Sequence, residues 1–158
     1  MGKIFRVLFG GMVGAGIGVA VAGKFYKGTI EDKDKKVDKF KGYYSMLNQW
    51  MILKKEGKTL ASWFVDNGYR TIAIYGMGEM GNRLYDELQG TEIKVLYAVD
   101  KNGSATYSEL DVVDLEDELE NVDAMVVTSV FAFDEIKEQL CQKVDFPIVS
   151  LEDIIFAV

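Results

Sequence analysis

The stretch Thr71–Gly81, TIAIYGMGEMG, restricts the possible folds more than any other part of the chain. Thr71–Tyr75 reads as a buried β-strand. It runs straight into Gly76-Met77-Gly78-Glu79-Met80-Gly81. Asn82–Leu88 follows as a run of helix formers that stops at Gln89-Gly90. A G-x-G-x-x-G pattern between a strand and a helix is the setting that dinucleotide binding requires. Each glycine has its own expected task. Gly76 allows the tight turn off the strand, Gly78 lets a pyrophosphate approach the backbone, and Gly81 lets helix and strand pack closely. The helix N-terminus then offers unpaired N–H groups and partial positive charge to the phosphates.

A second apolar run, Ile93–Val99, ends at Asp100, which lies 19 residues after Gly81. An acid at the tip of the second strand accepts hydrogen bonds from a ribose diol. Downstream, Lys101-Asn102-Gly103-Ser104 reads as a turn and Tyr107–Val113 as irregular or a short strand. Leu115–Leu119 reads as a short acidic helix, Ala124–Val130 as a buried strand and Asp134–Lys143 as an amphipathic helix. Pro147–Ser150 is the last strand, and Leu151–Val158 a closing helix. This alternation predicts an α/β fold: a small Rossmann-like parallel sheet of four to five strands with helices on both faces. The crevice would be lined by Gly76, Met77, Gly78, Glu79, Met80, Asp100, Lys101, Thr128 and Ser129, at the C-terminal ends of the strands.

Composition narrows the chemistry. The 158-residue chain carries a net charge of −7, which argues against a nucleic-acid partner, since phosphate contacts need a positive surface. It has one cysteine, Cys141, and no histidine. An intramolecular disulfide, a histidine base and a zinc ligand set are therefore excluded. Cys141 is expected near the edge of its helix as a small packed hydrophobe.

Residues 1–30 are expected to be a membrane anchor, 31–68 a charged linker with amphipathic helices, and 69–158 the nucleotide-binding domain. Ile4–Gly23 is an apolar run of about bilayer-spanning length. Gly10, Gly14 and Gly18 form overlapping G-x-x-x-G steps on one helix face, which suits a homodimer in the membrane. A cleaved signal peptide and a glycine-rich soluble helix are the rival readings. Lysines are concentrated after the apolar run, so the positive-inside rule places the C-terminal domain in the cytoplasm. Val37–Lys55 reads as a helix with a stripe of Val37, Phe40, Tyr44, Leu47 and Met51, widened by Tyr43, Trp50 and Leu53. The stripe is expected to pack on the nucleotide-binding domain, with a coiled-coil extension of a membrane dimer as the alternative. Thr59 is placed to cap a short helix, Leu60–Asn67.

At TIAIYGMGEMGNRLYDEL and VLYAVDKN the chain resembles the small Rossmann-like domains of bacterial surface-polysaccharide biosynthesis. A similar strand and Gly-x-Gly-Glu-x-Gly turn occur in the nucleotide-binding domain of nucleotide-sugar dehydratases and epimerases. The segment from Tyr43 to Tyr69 resembles stand-alone bacterial relatives. The resemblance implies that Gly76, Gly78 and Gly81 hold a pyrophosphate and Asp100 a ribose. It also implies NAD as the cofactor, with S-adenosylmethionine or a nucleotide-sugar as alternatives, and a glycan-assembly protein as partner. The dehydratases pair a tyrosine and a lysine, spaced Tyr-x-x-x-Lys, on one helix. Here that spacing, Tyr97 to Lys101, crosses a strand end and a turn, so no catalytic residue is carried over. Three functions follow: a membrane-anchored nucleotide-binding accessory module, a subunit of an oxidoreductase or sugar-modifying enzyme completed by a partner chain, and an interaction protein whose nucleotide site is vestigial.

Overall fold

The computed structural model describes residues 33, 35–100 and 110–158. The expected anchor, its Gly10, Gly14 and Gly18 face, and Lys101 lie outside them. Among the described residues no helix is long and apolar enough to cross a membrane. The chain divides into two units between Tyr44 and Ser45. The described residues from 35 to 44 are helical, and so are residues 45–55, called α1 below. Everything else described here belongs to the second unit.

After α1 come α2 (Leu60–Asp66), β1 (Thr71–Tyr75), α3 (Glu79–Leu88), β2 (Lys94–Val99), β3 (Val112–Val113) and β4 (Ala124–Val127). A 3-10 turn (Val130–Ala132), α4 (Phe133–Leu140), β5 (Ile148–Ser150) and α5 (Leu151–Ala157) complete the unit. The five strands form one sheet in the order β3-β2-β1-β4-β5, and every pairing is parallel. Order therefore reverses at β1: the chain moves outward through β2 and β3, then returns to place β4 on the other side.

Alternate residues of each strand face opposite sides. Ala73, Tyr75, Tyr97, Val99, Met125 and Val127 form one core cluster with Ile136 and Leu140 of α4. On the other side Ile72, Ile74, Ala98, Ala124 and Val126 are fully buried. There α2 contacts α3 and α5, while α3 and α5 contact β2 and β5. Burial on both faces is the usual condition of a parallel sheet, whose crossovers cover it twice. Asp123 fastens the start of β1 to that of β4. Its Oδ2 accepts from the Arg70 and Thr71 amides, both at 2.7 Å, and from Thr71 Oγ1 at 2.9 Å. These bonds, the Arg70 amide first, hold its carboxyl below the ordinary range.

Four expectations need correction. The acidic stretch at Leu115–Leu119 is a turn, not a helix. Asp117 Oδ2 takes the Asp114 amide at 2.8 Å and Asp114 Oδ1 takes the Glu116 amide at 3.0 Å, so side chains satisfy the backbone that a helix would have used. β4 ends at Val127, because Thr128 turns its hydroxyl back onto the carbonyls of Tyr75 and Gly76 and the chain coils into the 3-10 turn. Cys141 is exposed.

The fourth correction concerns how α1 is held and how α2 is capped. Trp50 and Leu53 of the expected stripe are buried, together with Met46, while Leu47 and Met51 of the stripe are exposed. Thr59 stands at the N-cap of α2 without a side-chain cap bond. Glu87 of α3 does that work: its Oε1 accepts the Leu60 amide at 2.8 Å, and its Oε2 accepts Trp50 Nε1 at 2.6 Å and faces Lys54 Nζ at 3.0 Å. One carboxylate thus joins α1, α2 and α3.

Candidate functional site

The site is built where β1 and β4 part company. Gly76 follows β1 with φ 94°, a conformation that glycine adopts without strain. Its amide donates to the Val99 carbonyl at 2.8 Å, and its carbonyl accepts from Thr128 Oγ1 at 2.6 Å. A Cβ at Gly76 would sit 2.9 Å from Thr128 Oγ1 and 3.2 Å from Ser129 Oγ. A Cβ at Gly81 would lie 2.2 Å from the Gly76 carbonyl oxygen. The first turn of α3 is therefore pressed against the turn that precedes it, and glycine is required there on packing grounds alone.

Gly78 differs from both. It is the exposed N-cap of α3, has ordinary backbone angles, φ −74° and ψ −164°, and a Cβ there would meet nothing within 4 Å. The space in front of it is open, next to the unpaired amides of the first helical turn. Asn82 Oδ1, also near the start of α3, is buried with no hydrogen-bond partner among the described residues. An orphaned acceptor of this kind needs a donor from a ligand or from water. Open space at the helix N-terminus and an orphaned acceptor nearby fit an anionic ligand with hydroxyl or amide donors.

Asp100 stands at the tip of β2, and its Oδ2 accepts the Met77 amide at 2.8 Å. The structure thus brings the acid and the glycine turn together. A carboxylate has about four lone-pair positions, so it is able to hold this amide and a ribose hydroxyl at once.

The remaining expected residues divide into several kinds. Ser129 is half-buried beside Gly76, and Glu79 is exposed at the first position of α3. A negative charge there favours the helix dipole but opposes a phosphate. Thr128 and Met80 are buried, at 4% and 8% exposure. Thr128 is a support for the turn, its hydroxyl spent on Gly76 and Tyr75, and the Met80 side chain belongs to the interior. Met77 contributes its amide to Asp100, and its Sδ reaches toward Gly81.

Two residues escaped the sequence reading, Asn82 with its orphaned acceptor and Tyr75. Tyr75, the last residue of β1, is buried beneath the turn. Burial first, then the charges of Asp100 and Asp114, hold its phenol above its ordinary value. Its place at the strand end, one residue before Gly76, was the available signal. Tyr97 of the unused Tyr-x-x-x-Lys spacing is buried on β2, and its hydroxyl donates to the Glu120 carbonyl at 2.7 Å. Among the described residues no cluster of acidic or cysteine side chains could hold a metal ion.

None of the curated proteins matches the chain, and no solved structure does either. The model of one protein family matches residues 68–147, the span from the approach to β1 to the approach to β5. That span is half of the chain and holds every described residue of the site, and the chain belongs to this family, described as C2185-like, N-terminal.

Proposed function

We propose that the second unit is a Rossmann-like module that binds a nucleotide diphosphate or dinucleotide. The diphosphate would lie over Gly78 at the start of α3 and a ribose diol on Asp100. NAD is the first choice of ligand, with a nucleotide-sugar or S-adenosylmethionine as alternatives. The acid at Asp100 disfavours NADP, whose 2′-phosphate it would repel. In the full chain this module would be an accessory component held at a membrane by residues 1–30 and serving surface-polysaccharide assembly.

The observation that carries the reading is the unequal use of three glycines. Gly76 and Gly81 are demanded by φ and by packing, whereas nothing within the fold demands Gly78. A glycine that the fold itself does not need, placed where a phosphate would approach, is accounted for by the ligand. A second reading, an interaction protein with a vestigial site, draws on the bond between Met77 and Asp100, which closes the turn without any ligand.

A thermal-shift titration of the full chain in detergent separates the two. The panel is NAD(H), NADP(H), S-adenosylmethionine and several nucleotide-sugars. Ligand at a hundred times its Kd stabilises by about 2.7 kcal/mol, a rise of roughly 5–15 °C for a domain of this size. A selective rise that disappears in Gly78→Val supports binding. A flat panel on folded protein favours the vestigial reading.

A further inference from the structure

The crevice at the C-terminal edge of the sheet differs in chemistry from one flank to the other. β1 lies between β2 and β4, so the glycine turn has Asp100 on one flank and Ser129 on the other. The β2 flank is acidic. Asp100 follows β2, Asp114 follows its neighbour β3, and the charges of both reach the Tyr75 phenol. The β4 flank reads Val127–Phe133, VTSVFAF, without a charged or amide side chain. Thr128 turns its hydroxyl to the Tyr75 and Gly76 carbonyls, and Ser129 carries the one other hydroxyl of that run.

The two phenylalanines of the run are placed differently. Phe133 begins α4 and, with Ala132, packs against the core cluster. Phe131 lies in the 3-10 turn and is 48% exposed. The Ala132 amide closes that turn on the Ser129 carbonyl at 2.9 Å. Phe131 is thus held two residues from Ser129, whose Oγ lies beside Gly76. One exposed phenylalanine is ordinary on a protein surface. Its position, on the uncharged flank of a ligand crevice, is what gives this one a use.

We propose that Phe131 stacks on a planar ring in the far half of the ligand, so that the module takes a dinucleotide in preference to a nucleotide-sugar or S-adenosylmethionine. This rests on the nucleotide reading of the same site. A ligand with its ribose on Asp100 and its diphosphate over Gly78 continues across β1 toward β4. A sugar at that end needs side chains that bond several hydroxyls, and an amino-acid tail needs partners for an ammonium and a carboxylate. Val127–Phe133 has no such set, and the acids that follow, Asp134 and Glu135 in the first turn of α4, would repel the carboxylate. A flat ring needs an apolar surface and an aromatic neighbour, which Phe131 provides.

The test is calorimetric titration of the full chain in detergent with NAD, ADP-ribose, S-adenosylmethionine and UDP-glucose. ADP-ribose is NAD without its nicotinamide. Wild type should bind NAD about three- to tenfold more tightly than ADP-ribose, the weight of one aromatic stacking contact. Phe131→Ala should erase that difference and leave the ADP-ribose affinity and the melting temperature unchanged. Phe131→Trp should keep the difference, and NAD but not ADP-ribose should quench its fluorescence beyond the quenching seen in wild type. Equal affinity of wild type for NAD and ADP-ribose overturns the ring contact and leaves the nucleotide reading standing. So does an equal loss of both ligands in Phe131→Ala, or tighter binding of UDP-glucose or S-adenosylmethionine than of NAD. Failure of all four ligands to bind folded wild type sinks the nucleotide reading, and the ring contact with it.

Discussion

The Met77 amide donates to Asp100 Oδ2 at 2.8 Å, which ties the glycine turn after β1 to the acid at the end of β2. Asp100 therefore has a conformational task as well as its proposed contact with a ribose. Asp100→Asn keeps an oxygen able to accept from Met77 but loses the charge. It should leave the melting temperature nearly unchanged and weaken a ribose-bearing ligand by about 10- to 100-fold, the weight of a charge-assisted hydrogen bond. Asp100→Ala should also lower stability. Calorimetric titration with NAD checks the first effect, and equal affinity in the wild type and Asp100→Asn would remove Asp100 from the site.

The glycines should separate stability from binding. Gly81→Ala drives a methyl group into the Gly76 carbonyl, which is backbone and cannot swing aside. It should cost about 2 kcal/mol or more. Gly78→Ala meets open space at permitted backbone angles and should leave the melting temperature within about 3 °C of wild type, its cost falling within the roughly 0.5 kcal/mol usual at surface positions. Thermal unfolding of both variants decides the matter, and a large loss in Gly78→Ala would show that the fold itself needs that glycine.

Glu87 should matter to stability far from the ligand. Its side chain is 3% exposed and serves the Trp50 indole, the Leu60 amide and Lys54. Glu87→Ala leaves two buried donors without an acceptor, at a cost of about 3 kcal/mol. Urea unfolding should show a lower midpoint with an unchanged slope. Glu87→Gln should recover part of the loss, because its amide oxygen is still able to accept one donor. An unaltered midpoint in Glu87→Ala would mean that water replaces the carboxylate.

Tyr97 adds to the loss of stability at alkaline pH. Burial, then the charge of Glu120, pushes its phenol up to about 12. An unfolded tyrosine ionises near 10. Between these values the unfolded chain loses a proton that the folded chain keeps, so stability falls as pH rises through that window. Below pH 10 the contribution is intact. Tyr97→Phe should lose about 1 kcal/mol at neutral pH, from the bond to Glu120, and show a shallower decline above pH 10. Parallel pH–melting curves for the two proteins would contradict this.

The elements legible in the sequence were those whose signal is local. β1 matches Thr71–Tyr75 residue for residue, because an apolar run bounded by a charged residue and a glycine turn leaves little choice. The tasks of Gly76 and Gly81 were legible for the same reason. The reading failed where distant or side-chain partners decide. Nothing near Thr59 announces that Glu87 will cap α2, and nothing in the acidic run before Val122 announces that Asp114 and Asp117 will claim the backbone. Within residues 45–55 the helical spacing was legible, but periodicity cannot say which edge of a wide apolar stripe turns inward. Trp50 and Leu53 of the stripe turn inward with Met46, and Trp50 reaches the Glu87 carboxylate, a partner 37 residues away that spacing does not announce.

The clasp that Asp123 makes on Thr71 has a kinetic consequence. It joins residues 52 apart, whereas Met77 and Asp100 are only 23 apart. Closing the longer loop costs more chain entropy before any contact repays it. Assembly should therefore begin with β1, α3 and β2, and β4 should be added to a hairpin-sized nucleus already formed. Asp123→Ala would then hasten unfolding and leave the refolding rate almost untouched, as stopped-flow mixing in urea can measure. In that sequence of events the glycine turn meets Asp100 first, and Thr128 arrives afterwards to pin it.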